Sequence, residues 1–198
     1  MKRIIIAGGI GAGKTAITDW LRLRGFTVVD ADVVARHITE PGQPALGVLR
    51  DAFGDAVLDE EGRLDRAFVA DVVFHDATAL RRLNQITHGH IGAEISREVE
   101  AATGAAVFIA LPLFRPEHRP LFSVDEVWSV QVAPEVAIDR LVRYRGFSED
   151  DARARLANQM SNEERESIVD RVLWNEGNLD DLHQRLDAAL RESGIAGG

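Results

Sequence analysis

The stretch Gly8-Gly9-Ile10-Gly11-Ala12-Gly13-Lys14-Thr15 decides the fold. It matches the phosphate-binding pattern G-x-x-x-x-G-K-[ST], and its flanks are those the pattern requires. Ile4-Ile5-Ile6-Ala7 before it is an apolar run suited to a buried strand, and Ala16 to Arg24 after it reads as a helix. Glycines let such a loop turn tightly and approach a ligand with no Cβ in the way. Successive N–H groups then form a concave nest at the positive end of a helix, a cradle for a di- or triphosphate. Lys14 is placed to reach the β- and γ-phosphates, and Thr15 to offer its hydroxyl to Mg²⁺. A structural glycine turn is the bland alternative, and the complete motif in this context argues against it.

Working outward, four more stretches read as buried strands: Thr27 to Val29, Ala105 to Leu111, Val127 to Val132 and Val172 to Trp174. They are rich in Val, Ile and Phe without polar alternation, as in parallel strands covered on both faces. Helical patterns lie between them. The expected class is therefore α/β, a P-loop fold with a doubly wound, five-stranded parallel sheet whose ligands sit at the carboxyl ends of the strands. The rhythm breaks from Asp32 to Thr103, where turn signals (Pro41-Gly42, Phe53-Gly54, Glu60-Glu61-Gly62) separate helical pieces at Ala45 to Phe53, Asp65 to Phe74 and Thr78 to Val99. This predicts a helical, substrate-binding insertion over 32–103 in a core made of 1–31 and 104–198, with a lid around 140–160. Pro134 suits a first helical turn. Ser148 with Asp151, and Ser161 with Glu164, fit capping boxes. The tail Gly194 to Gly198 is expected to be disordered.

Composition narrows the partners. The 198 residues carry a formal net charge of −9, with 45% hydrophobic and 28% charged residues and no cysteine. Disulfides and thiolate metal sites are excluded, and the acidic balance argues against non-specific nucleic-acid binding. No signal-peptide pattern or bilayer-length apolar run is present, so a cytoplasmic protein with no membrane partner is expected. An anionic ligand must then be held by local cations and backbone amides.

Asp30-Ala31-Asp32 follows the second strand directly. A carboxylate there can accept a proton from an attacking hydroxyl or hold a water around Mg²⁺. Alternation along an extended segment puts Asp30 and Asp32 on one side; capping the next helix is the rival role for either. Arg140, Arg143 and Arg145 end the helix begun at Pro134. Kinases acting without a partner protein need arginines in cis, and helical spacing gives Arg140 and Arg143 one face. Offsetting the helix dipole is their bland alternative. Arg36 and His37 could meet a substrate phosphate or simply be a solvated face. His88 and His90 lack a third metal ligand nearby. Trp20, Trp128 and Trp174 read as core.

These residues resemble the dephospho-coenzyme A kinase family. The likeness runs from the phosphate loop through Val29-Asp30-Ala31-Asp32, Ala35-Arg36, Glu40-Pro41-Gly42, Phe53-Gly54 and Gly62-Arg63-Leu64-Asp65-Arg66. It continues with Leu83-Asn84, His88, Arg140-Leu141, Gln159, and Asn175 with Gly177, spanning nearly the whole chain. The resemblance implies transfer of the ATP γ-phosphoryl group to the ribose 3′-hydroxyl of dephospho-CoA, the last step of coenzyme A synthesis, by a monomer or weak oligomer. It implies ATP binding by Gly9, Gly11, Ala12, Gly13, Lys14, Thr15 and Ala16, with Asn175 toward the adenine. Catalysis would fall to Asp32 as base with Lys14 and Arg140, substrate binding to Asp30, Arg36, His88 and Arg143, and Mg²⁺ to Thr15. The chain departs from the family after the third strand, where Pro112-Leu113-Phe114-Arg115-Pro116 replaces the usual Pro-Leu-Leu-x-Glu and the nearest acid is Glu117. It also has Gly89 where the family has a proline after its histidine, and Leu173-Trp174-Asn175 for Ile-Asp-Asn. A kinase of the same family with a different hydroxyl acceptor is the alternative.

Overall fold

The computed structural model describes residues 1–195. They form two compact units, one comprising Met1–Asp30 and the chain from Ala101 onward, the other Ala31–Glu100.

The first unit is built on five parallel strands: β1 (Lys2–Gly8), β2 (Thr27–Asp30), β3 (Ala106–Ala110), β4 (Glu126–Gln131) and β5 (Arg171–Trp174), in the order β2-β3-β1-β4-β5. All five expected strands are present. Ile4, Ile5 and Ile6 are 0% exposed, as are Val107, Phe108 and Ile109 beside them, which is why the sequence shows no polar alternation. β1 is central: Ile5 stands beside Ile109 of β3 on one side and Val127 of β4 on the other. The chain crosses from β1 to β2 on one side and from β3 to β4 on the other, and this reversal opens a crevice at the carboxyl end of β1. The loop after β1 therefore emerges from the most heavily paired strand of the sheet.

Helix α1 (Lys14–Leu23) returns from that loop to β2. The second unit follows, with α2 (Ala31–His37), α3 (Pro44–Phe53), α4 (Arg66–His75) and α5 (Ala77–Ala101). Two of its helices have clear start signals: Pro44 takes the first turn of α3, and the Asp65 carboxylate caps α4 by accepting from Phe68 N–H. Between α3 and α4 a 3₁₀ turn (Asp55–Val57) and a single Leu58–Leu64 bridge close a turn, with Asp59 Oδ1 accepting from the N–H groups of Glu61 and Arg63.

Back in the first unit come α6 (His118–Phe122), α7 (Pro134–Arg145), α8 (Glu149–Ala157), α9 (Asn162–Glu166) and α10 (Leu179–Glu192). The Ser161–Glu164 capping box is complete; at Ser148 only the serine half forms, and the Asp151 carboxylate accepts from the Ser148 hydroxyl at 2.8 Å. Ile17 and Leu21 of α1 and Leu182, Leu186 and Leu190 of α10 join Ile4, Ile6, Phe108 and Trp128 in the main core. Trp20 and Trp128 are buried as expected, whereas Trp174 is only half-buried.

The disorder expected at Gly194 and Ile195 is corrected by the core. Ile195 is 3% exposed and packs with Leu190, and its N–H is bonded to the Leu190 carbonyl. Residues 196–198 lie outside the described residues. Among the described residues no helix is long and apolar enough to cross a membrane.

Candidate active site

The loop between β1 and α1 is shaped by what surrounds it. Gly13, the residue before α1, has φ 93°, a left-handed conformation that costs any residue with a Cβ. A methyl group there would also overlap the Asn175 Nδ2 atom. Gly11, at φ 76°, leaves no room either, since an added Cβ would stand 2.9 Å from the Ala137 carbonyl oxygen. α1 has no side-chain cap at its N-terminus and no acid in its first turn. The positive end of its dipole is thus not offset by a side chain of its own first turn, which favours an anion there.

Two side chains brace the loop from its carbonyl side. Asn175, 6% exposed at the end of β5, donates its Nδ2 to the Ala12 carbonyl at 2.8 Å. Arg140 of α7 donates to the carbonyls of Gly11 at 3.4 Å, Ala12 at 3.5 Å and Asn175 at 2.8 Å. The sequence assigned Arg140 to the transferring phosphoryl group and Asn175 to the adenine side; here both hold the loop's backbone. Lys14 Nζ donates to the Leu111 carbonyl at 2.7 Å, at the exit of β3, and Thr15 is exposed on the first turn of α1. Ala16 N–H closes that turn onto the Gly13 carbonyl.

The segment from α8 to α9 stands over the opposite end of the loop. Gln159 Oε1 accepts from Ile10 N–H at 2.9 Å. The Arg165 guanidinium of α9 is close enough to Gly9 that an added Cβ would lie 3.4 Å from Nη2. Asn162 pins α9 to the exit of β4, donating Nδ2 to the Val132 carbonyl at 2.9 Å while its own carbonyl accepts from Gln131 Nε2 at 3.3 Å. Two cavities flank this contact. One, of about 490 Å³, is lined by Gly9, Ile10, Pro134, Ala137 and the 156–165 segment. The other, of about 310 Å³, is lined by Gly8, Pro112, Leu113, Phe114, Gln159 and Arg165. The placement of Arg165 was missed by sequence reasoning, and Gln159 entered only through family likeness.

The remaining candidates are more scattered. β2 ends at Asp30, 3.8 Å from Arg22, and α2 begins at Ala31. Asp32 is therefore in the first turn of a helix, and the extended alternation expected to align it with Asp30 does not exist. Asp32 is exposed and favourably placed toward the helix dipole, and Arg36, one turn later, donates Nε to its backbone carbonyl at 3.1 Å. His37 is engaged by Glu40 and Gln43. His88 is exposed on α5. Among the described residues no group of three or more His, Cys, Asp or Glu could hold a metal by itself. Arg143 does not join Arg140 but pairs with Asp139 at 2.7 Å on the exposed side of α7. Glu117 is turned to solvent, 3.9 Å from Arg115.

A glycine loop leaving the central strand of a parallel sheet, with a lysine and a hydroxyl on the first turn of the next helix, defines a P-loop phosphotransferase of the nucleotide-kinase type. A family model described as Dephospho-CoA kinase matches residues 3–181. Dephospho-CoA kinase of Streptomyces avermitilis is 42% identical over 189 residues, covering 94% of this chain and 91% of that protein. That of Corynebacterium glutamicum is 40% identical over 195 residues, covering 97% of each. A solved structure from Thermus thermophilus superposes with a TM-score of 0.78 at 30% identity, covering 96% of this chain and 97% of the other. The chain belongs to the dephospho-CoA kinase family.

Proposed function

We propose that the protein transfers the γ-phosphoryl group of ATP to the ribose 3′-hydroxyl of dephospho-CoA, giving CoA and ADP. One observation carries the donor half: a helix N-terminus with no side-chain cap, preceded by left-handed glycines, which turns the positive end of the helix dipole toward polyanionic phosphate. The family carries the acceptor half. Gly9, Gly11, Ala12, Gly13, Lys14, Thr15 and Ala16 form the phosphate cradle; Arg140 and Asn175 keep its shape.

Asp32 receives the proton of the attacking hydroxyl. The new O–P bond forms as the bond from Pγ to the β–γ bridging oxygen breaks, and its electron pair leaves with ADP. Asp30, Arg36, His88 and Arg143 are the candidate residues for the acceptor. For Mg²⁺, which shields charge on the phosphates when bound, the Thr15 hydroxyl is a fitting hard-oxygen donor. With no metal cage among the described residues, most of the ion's remaining ligands would be phosphate oxygens and water.

Lys14→Ala and Asp32→Asn should each abolish phosphorylation of dephospho-CoA, Asp32→Asn lowering turnover by about 10²–10⁴-fold while ATP binding stays nearly intact. Full activity of Asp32→Asn would remove it from the mechanism. A second reading, a different hydroxyl acceptor, is motivated by Pro112–Pro116 and the solvent-facing Glu117. An assay of ADP release against dephospho-CoA, nucleosides and nucleoside monophosphates decides between them.

A further inference from the structure

Arg165 stands out among the arginines by what surrounds it. Arg63, Arg97, Arg143 and Arg153 lie on exposed faces, each paired with a carboxylate of its own segment. Arg165 is half-buried, and its hydrogen bonds go to neutral acceptors: Nη2 to the Met160 carbonyl at 2.7 Å and Nη1 to Asn162 Oδ1 at 3.1 Å. Among the described residues no carboxylate lies within ion-pair distance of it. Burial draws its guanidinium below the usual arginine range, with Glu164 acting weakly the other way. A cation partly withdrawn from water without an ion-pair partner is costly, and two neutral acceptors offset only part of that cost.

What the guanidinium faces supplies a reason. Arg165 is the only cation among the described residues that lines both cavities beside the loop. It adjoins Gly9, at the strand end of the loop, the part farthest along the chain from the helix N-terminus that cradles the inner phosphates. Lys14 reaches toward the same end, onto the carbonyl of Leu111, whose neighbour Pro112 lines the smaller cavity with Arg165. The platform is fixed by the Ser161–Glu164 capping box and by the two bonds that tie Asn162 to the exit of β4.

We propose that Arg165, not Arg140 or Arg143, is the residue of the 140–166 segment that contacts the γ-phosphoryl group of ATP and neutralises the charge spread over its oxygens during transfer. It takes and gives no proton. The proposal rests on the ATP-kinase reading above, and its test separates the two. The full chain and its Arg165→Gln and Arg165→Lys variants are titrated calorimetrically, with Mg²⁺, against ADP and against a non-hydrolysable ATP analogue; turnover with dephospho-CoA is measured alongside.

A γ-phosphoryl contact predicts ADP affinity within about twofold of the parent, analogue affinity at least about tenfold weaker in Arg165→Gln, and turnover lower by about 10³-fold or more. Arg165→Lys, which keeps a charge on this site, falls between the two. Equal losses for ADP and analogue in both variants, or unchanged turnover, overturn the proposal and reduce Arg165 to a scaffold for the 158–162 turn. If the parent leaves dephospho-CoA unphosphorylated while the ADP-versus-analogue difference persists, the acceptor assignment fails and the role of Arg165 stands.

Discussion

Gly13→Ala tests how the phosphate loop is held, and Gly25→Ala is its control. Both glycines are left-handed, at φ 93° and φ 79°, so an alanine at either pays a conformational cost of about 1–2 kcal/mol. Nothing lies within 4 Å of a Cβ at Gly25, and the cost there ends with the backbone. At Gly13 the methyl group overlaps Asn175 Nδ2, which is buried and bonded to the Ala12 carbonyl at 2.8 Å. Displacing that amide leaves a buried donor and acceptor unsatisfied, a further loss of about 1–3 kcal/mol. Gly13→Ala should therefore destabilise by about 2–5 kcal/mol, and Gly25→Ala by about 1–2 kcal/mol. For a chain of this length each kcal/mol lowers the thermal midpoint by about 2–4 °C, so calorimetric scans of both variants resolve the gap. ATP affinity should fall only in Gly13→Ala. Equal midpoints for the two variants would refute the claim that Asn175 and Gly13 share one tightly packed site.

Arg140→Ala removes donors to the carbonyls of Gly11, Ala12 and Asn175 and should cost about 1–3 kcal/mol with a clear loss of ATP affinity; Arg143→Ala, which breaks only an exposed pair, should stay within about 0.5 kcal/mol by denaturant unfolding. Glu126 gives an acid limb. Burial alone would raise its pKa, but hydrogen bonds from Lys2, Trp128 and Ser193 overcome this and hold it at about 2, against 4.5 for the free side chain. The stability it contributes is present above pH 4.5 and lost as pH falls from 4.5 toward 2. Urea midpoints measured across that window should be flatter in Glu126→Gln than in the parent protein; identical slopes would dismiss the network.

The sheet and the loop were legible because their signals are local. Ile4 to Ala7 is apolar without interruption since both faces of a central strand are covered, and the glycine–lysine motif carries its own conformational demands. The acids show where local reading fails: alternation was assumed through Asp30-Ala31-Asp32, but the chain turns helical at Ala31, so spacing in an extended segment says nothing about their directions. Arg140 was singled out for a phosphate contact, yet its carbonyl partners in the loop lie 128 and 129 residues away along the chain and cannot be read from helix periodicity. Arg165 was invisible for the same reason. Its α9 is only five residues long, and what brings it to the loop is the docking of Asn162 on the exit of β4. Ile195 was obscured by the glycines around it, which suggest a tail although the isoleucine packs under α10.

The strand order also sets when this protein can fold during its own synthesis. β1 leaves the ribosome before the other four strands but sits in the middle of the sheet, so its edges stay unpaired until β3 and β4 emerge, about a hundred residues later. Ser193 and Ile195, made after all five strands, then join Glu126 and the core beneath α10. The Ala31–Glu100 unit, with mostly internal neighbours, can form while translation continues; the nucleotide-binding unit must wait for β5 and α10. A ribosome stalled shortly before α10 would carry a chain that holds every residue of its phosphate cradle and still has no cradle.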